Sequence, residues 1–250
     1  MMLSLCSITQ HRPQEDLGKY RFLVYQLAYA KDVEASALYA LRSQLPVEER
    51  KRYDHLTVYP RQIEFLLSRI LLRSVLGMLL CQPPSLLRFA ATIQGKPYLE
   101  GYERGPPAFF NLSHTQGCIM LAVTKYGEIG VDVEALGSYQ ERVARRFFHH
   151  DEYCSLERLP PSQRSIAFYH MWTIKEACAK ALGSGLQFPL REIPVSLEAS
   201  GYSRSCWWQT LDFSPAFKAA IALYSPGAFQ PPKDFKCSYL DIQWLSSSVQ

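Results

Sequence analysis

The run from Phe65 to Cys81 constrains the fold more than any other stretch of the chain. Its apolar residues nearly encircle a helix of period 3.6, so no single face of it can be left to water. Arg69 and Arg73 interrupt it, so it fails as a membrane span and reads as a helix buried in a core. Pro60 precedes it and Pro83-Pro84 follow, which predicts a helix from about Arg61 to Leu80. Arg61, Arg69 and Arg73 fall within about a third of its circumference. Taken alone, that arrangement is a solvated stripe of arginines.

A core helix needs sheets to cover it. Strand-like runs occupy residues 21–30, 87–93, 108–112, 119–124 and 129–134, with turn-like Gly95-Lys96-Pro97, a loop at 101–107 and a hairpin turn at 126–128. Helical patterns cover about 33–53, 140–159 and 162–183, the last stopped by Gly183 and Gly185. The tail from Leu190 to about Trp244 alternates short strand-like runs with turns. Each half therefore runs strand, helix, several strands. We expect an α+β fold of two similar α/β lobes, 1–115 and 116–250, joined near 113–118, with the chemistry carried by the second. At 250 residues and 48% hydrophobic, the chain can bury one large core or two moderate ones.

Charge and cysteines narrow the class. Net charge is +4, from 27 basic and 23 acidic residues, and no dense Lys/Arg run stands out. An anionic ligand or partner is tolerated, and nucleic acid is not demanded. The cysteines at 6, 81, 118, 154, 178, 206 and 237 show no CxxC pair or zinc-like spacing. Reduced thiols in a cytoplasmic protein are the expectation. The start, Met1 to Ser7, is too short for a signal-peptide core and lacks a basic lead, so no membrane association is expected.

Two segments carry side chains suited to chemistry. In Ile129-Gly130-Val131-Asp132-Val133-Glu134, two carboxylates two residues apart on a strand share a face. The pair suits a hard cation such as Mg2+, or simply an exposed acidic edge. In the helix from Ser162, Trp172, Lys175, Glu176 and Lys180 stand at i, i+3, i+4 and i+8 on one face. Trp beside them suggests a partly dry floor, where ammonium groups act more strongly. Together the segments supply hard oxygen ligands for a metal and ammonium groups for the phosphates of a magnesium-held pyrophosphate. Glu152 is a third ligand, a base or a surface residue. His149 and His150 point about 100° apart and read as surface residues. Ser113 and His114, at a strand end, could hold a phosphate oxygen. No GxSxG elbow supports a catalytic Ser/His pair.

These segments, in this order, resemble the 4′-phosphopantetheinyl transferases of the Sfp type. The matching pieces are Gly95-Lys96-Pro97, Asn111-Leu112-Ser113-His114, Gly130 to Glu134, Arg146-Phe147-Phe148 with Glu152, Trp172 to Ala177 with Lys180, and Gly185 to Leu190. The resemblance covers about Arg61 to Leu190. It implies a pseudo-dimer of two α/β lobes with coenzyme A in the cleft between them. It implies transfer of the phosphopantetheine arm from coenzyme A to a serine of an apo acyl, peptidyl or aryl carrier protein, releasing adenosine 3′,5′-bisphosphate. Carried over by position, Asp132, Glu134 and Glu152 would ligate Mg2+. Lys175 and Lys180 would face the phosphates, and Glu176 would order the cluster. Glu152 would accept the serine proton, with Lys175 or water as alternatives. Ser113, His114 and Lys96 would hold the 3′-phosphate, with Arg50, Lys51, Arg52, Arg61 or Arg69 as first-lobe candidates to help them. A monomer is expected. The segment Tyr139–Phe148 is a candidate carrier surface. Two rivals remain: a metal-dependent nuclease or phosphatase, and a non-enzymatic carrier-protein binder.

Overall fold

Leu23, Tyr25 and Leu27 of one strand are buried, and so are its alternate residues Phe22 and Val24. Such a strand needs cover on both faces. The structure, a computed structural model describing residues 19–20, 22–30, 33–102, 105–183, 188–224 and 235–240, provides it in four layers: helix, sheet, sheet, helix.

The first lobe runs β1 (Phe22–Ala28), α1 (Ala35–Ser43), α2 (Val47–Asp54), α3 (Tyr59–Leu80), the hairpin β2 (Phe89–Ala91) and β3 (Pro97–Leu99), then β4 (Phe109–Thr115) and β5 (Cys118–Thr124). The second runs β6 (Ile129–Ala135), α4 (Glu141–Phe147), α5 (His150–Arg158), α6 (Pro161–Ala181), β7 (Ser200–Ser203), β8 (Cys206–Thr210) and β9 (Phe217–Tyr224). A last strand, β10 (Lys236–Leu240), returns to the first sheet and lies parallel to β1. The sheet orders are β10-β1-β5-β4 and β6-β9-β8-β7. In each lobe the first strand pairs antiparallel with the last, β1 with β5 and β6 with β9. The lobes therefore share one plan. The division expected at 115/116 cuts the β4–β5 hairpin, whose strands pair from Thr115↔Cys118 onward.

Helix α3 is buried as its pattern requires; Ile63, Leu66, Leu67, Ile70, Leu71, Val75 and Leu76 pack on Leu23, Tyr25, Leu27, Leu121 and Val123. It ends at Cys81, whose left-handed backbone (φ 52°) stops it before the prolines arrive. Between the sheets, Phe22, Val24, Met120 and Ala122 meet Val131, Val133, Trp207, Ile221 and Leu223. Outside the second sheet, Trp208, Ala220 and Ala222 pack on Ile174, Ala177, Cys178 and Ala181 of α6. Trp207-Trp208 thus serves both layers by strand alternation.

The arginine stripe is not solvated as expected. Arg69 and Arg73 both bond to Glu49 of α2, with Arg73 Nε 2.8 Å from Glu49 Oε2. Arg73 Nη1 also donates to the carbonyls of Pro84 (2.7 Å) and Leu87 (2.9 Å), and both guanidinium groups lie over Phe89, at 5.0 and 5.1 Å. Arg69 is therefore held half-buried between Glu49 and Phe89, while Arg61 stays exposed. Truncating Glu49 to alanine leaves two shielded cations facing each other. A loss of about 3 kcal/mol is expected. Urea unfolding checks it, and an unchanged midpoint would refute the network's role.

Candidate active site

The site lies where β6, the edge strand of the second sheet, meets α6 on one side and β4 on the other. Gly130, Asp132 and Glu134 share the β6 face that looks at α6. A Cβ on Gly130 would stand 2.0 Å from the Ala177 carbonyl oxygen, so the strand rests directly on the helix backbone. From α6, Trp172, Glu176 and Lys180 approach the two carboxylates. Lys180 Nζ lies 2.6 Å from Asp132 Oδ1 and donates to Ser113 Oγ (2.9 Å) and the Val131 carbonyl (3.1 Å). The Trp172 indole N–H donates to Glu134.

From β4, alternate side chains stitch the lobes together. Asn111 Oδ1 accepts from Val131 N at 2.9 Å, Ser113 Oγ donates to Asp132 Oδ1 at 2.9 Å, and Thr115 Oγ1 accepts from Ala135 N at 3.4 Å. His114 points the other way, as alternation demands, with Nδ1 3.5 Å from Glu64 Oε2 of α3. Ser113 thus holds Asp132, and half-exposed His114 keeps a ring open to a ligand.

Three carboxyl groups crowd this seam. Burial, reinforced by the Asp132 charge, pushes Glu134 up to about 7 and Glu176 up to about 7. Asp132 Oδ2 and Glu176 Oε1 are buried and have no hydrogen-bond partner among the described residues. Orphaned carboxylate oxygens of this kind are costly unless a cation meets them. Among the described residues no three His, Cys, Asp or Glu side chains are already gathered as a metal cage. A divalent ion would need further oxygens from water and from a bound diphosphate, as Mg2+ commonly does. On that donor set the residues fit Mg2+.

Glu152 and Lys175 lie outside this cluster and pair with each other. Glu152 Oε1 accepts from Val195 N (2.7 Å), and Oε2 accepts from His149 N (2.7 Å) and pairs with Lys175 Nζ at 2.8 Å. Both oxygens of this buried carboxylate are thus engaged inside the protein. Lys175 is fully buried and gives its other two protons to the carbonyls of Leu190 (3.0 Å) and Ile193 (2.5 Å). All three of its protons are taken inside the protein. Glu176 is the α6 carboxylate that reaches the cluster, and its spacing of four from Trp172 and Lys180 was the available signal.

Lys96 is also committed within the protein. Its ammonium donates to Glu128 Oε2 (2.6 Å) and to the carbonyls of Ile129 (3.1 Å) and Lys180 (3.0 Å). It ties the β2–β3 hairpin to the start of β6 and the end of α6. Arg50 is held by the Ser43 and Leu45 carbonyls, and Arg52 lies over Phe65. Gly185, Leu186 and Gln187 of the last matching piece lie outside the described residues.

The seam coincides with the junction of two matched regions. Residues 32–126 match the family of 4′-phosphopantetheinyl transferase N-terminal regions, and residues 128–237 match the 4′-phosphopantetheinyl transferase superfamily. The chain is 33% identical over 207 residues to the 4′-phosphopantetheinyl transferase HetI of a Nostoc species, an alignment covering 81% of this chain and 87% of that one. This chain belongs to the 4′-phosphopantetheinyl transferase superfamily. It is also 31% identical over 169 residues to the transferase Sfp of Bacillus subtilis, covering 64% and 74% of the two chains. To the transferase psf-1 of Bacillus pumilus it is 29% identical over 181 residues, covering 69% and 76%. A 4′-phosphopantetheinyl transferase is an enzyme, and the acidic seam between its two lobes is the candidate centre.

Proposed function

We propose that this chain, as an Sfp-type member of the superfamily, transfers the 4′-phosphopantetheine arm of coenzyme A to a serine of an apo acyl, peptidyl or aryl carrier protein, with Mg2+. Adenosine 3′,5′-bisphosphate is the by-product. The observation that carries the reading is the pair of orphaned oxygens, Asp132 Oδ2 and Glu176 Oε1, contributed by two different elements. Asp132, Glu134 and Glu176 would hold Mg2+, which when bound offsets the negative charge of the diphosphate. Lys180, paired with Asp132 and a quarter exposed, would exchange its bond to Ser113 or Val131 for a phosphate oxygen, and half-exposed His114 would meet the 3′-phosphate. With Glu152 sealed away, the serine proton goes in this reading to Glu176, directly or through water. In this reading the lobes would divide at the turn around Gly127, between the two matched regions.

The carrier, in this reading, docks at a groove of about 770 Å³ lined by Arg145, Phe148, His149, His150, Tyr153 and Arg191. Its arginines and aromatic rings suit an acidic partner with an apolar centre. The reading places the enzyme in the cytoplasm as a monomer, with coenzyme A as co-substrate and without nucleic acid or membrane partners. In support, the described cysteines 81, 118, 154, 178, 206 and 237 are free thiols. Among the described residues no helix is long and apolar enough to cross a membrane.

Intact mass of an apo carrier after incubation with the chain, coenzyme A and Mg2+ tests the reaction. A gain of one phosphopantetheine arm, abolished by EDTA, is expected. No gain on acyl, peptidyl and aryl carriers would refute the reading.

A further inference from the structure

Lys175 and Glu152 lie in segments marked for chemistry, yet neither offers an atom to the cleft. Their side chains are 0% and 7% exposed. An ammonium has three N–H groups, and those of Lys175 find three acceptors: Glu152 on α5, and the carbonyls of Leu190 and Ile193. Glu152 in turn takes the backbone N–H groups of His149 and Val195. One buried pair thus fastens α6 to α5 and to the 190–195 segment. We propose that the Lys175–Glu152 pair is a rotational lock on α6, a positioning device that fixes the Glu176 carboxylate against Asp132 without touching the reacting groups.

Helix geometry carries the argument. Lys175 and Glu176 are neighbours in sequence and point about 100° apart, so holding one aims the other. A side-chain end stands roughly 6 Å from the helix axis, and a rotation of about 10° moves it by about 1 Å. A displacement of that size is enough to lower turnover about 100-fold. On the opposite side, Gly130 brings the β6 backbone against Ala177 and Ala181, so α6 cannot slide to compensate. The lock is braced by rings: Lys175 Nζ lies 5.4 Å from the Phe148 centroid, and Phe148 stacks on Phe168 (5.4 Å) and Trp172 (6.4 Å). Trp172 is the residue whose indole N–H holds Glu134. The same buried lock therefore bears on two of the three carboxylates.

The inference rests on the transfer reading for its consequence, but not for its first test. Thermal unfolding of Lys175→Met, Glu152→Gln and the double variant needs neither coenzyme A nor a carrier. Lys175→Met alone leaves the Glu152 carboxylate buried without its cation and is expected to lower the midpoint by roughly 10 °C. Adding Glu152→Gln removes that charge, so the double variant should regain several degrees. In the Mg2+-dependent transfer assay, Lys175→Met should lose about 100-fold in turnover with little change in KM for coenzyme A. The double variant should recover about tenfold of that loss. A double variant no more stable and no more active than Lys175→Met overturns the lock. If Lys175→Met cannot be isolated folded, the pH–rate profile of Glu152→Gln decides. A positioning residue lowers turnover at every pH and keeps the profile's shape. Loss of the acid limb would make Glu152 the proton acceptor and overturn the proposal. Failure of the unmodified chain to transfer would count against the reaction, while the stability comparison would still judge the lock.

Discussion

Replacing Gly130 with alanine is expected to abolish transfer and to destabilise the chain by about 3 kcal/mol or more. The added Cβ would stand 2.0 Å from Ala177 O, 2.6 Å from Ala181 N and 3.0 Å from Ala177 C. All three are backbone atoms of α6, so no rotamer change can make room. Either β6 or α6 must retreat by about 1 Å to restore contact distance. The retreat opens the seam between Asp132 and Glu134 on the strand and Glu176 and Lys180 on the helix. It also strains Ile174, Ala177 and Cys178 against Trp208 and Ala222. Urea unfolding and the transfer rate, measured on one preparation, test this. Near-normal values for both would mean that the strand and helix are not in backbone contact.

Gly130 also shows what the sequence could and could not say. Its position beside Asp132 and Glu134 was legible, and the helix it touches lies some 47 residues later, a pairing no local pattern reveals. The elements with strong periodicity were readable: α3, α6, β5 and β6 fall within a few residues of their expected spans. The stretch 140–159 was expected as one helix and forms two. Phe148 leaves helical geometry (ψ 154°) and is buried against Phe168, and His149 caps α5 with its side chain. Histidine is not among the usual capping residues, so the break carried no recognisable signal. The break between α1 and α2, by contrast, falls at Pro46, where proline chemistry announces it. The parallel pairing of β10 with β1 joins chain ends and is invisible to any window.

Four residues of α6 were read as one face, and the structure gives them two sets of neighbours. Trp172, Lys175, Glu176 and Lys180 span roughly 140° of the helix when each residue turns about 100°. That is wide enough for two different neighbours. Glu176 and Lys180 lie on the side that meets β6. Lys175, about 100° away from Glu176, meets α5 and the 190s instead. What decides between them is burial, which depends on where α5 folds. The composition of the motif says only that both a lysine and a glutamate are needed there.

Mg2+ should raise the thermal midpoint by about 5 °C at pH 8 when present at roughly a hundredfold excess over its dissociation constant, and hardly at all at pH 5.5. The sign follows from Glu134 and Glu176. Both are raised from 4.5 to about 7, chiefly by burial and then by the charge of Asp132. Below about pH 4.5 these groups are protonated in both folded and unfolded chains. Between about 4.5 and 7 the unfolded chain releases protons that the folded chain retains. The stability these two groups contribute is therefore lost as pH rises through 7. At pH 8 both are ionised beside Asp132, and a divalent cation relieves the repulsion that the seam has accumulated. At pH 5.5 the same carboxyl groups hold protons that a cation must displace. Differential scanning fluorimetry with and without Mg2+, at both pH values, reads the difference directly and needs no substrate. Asp132→Asn and Glu176→Gln should each blunt the pH 8 response while keeping the fold. An equal Mg2+ effect at the two pH values, or one that survives both substitutions, would move the cation site away from this seam.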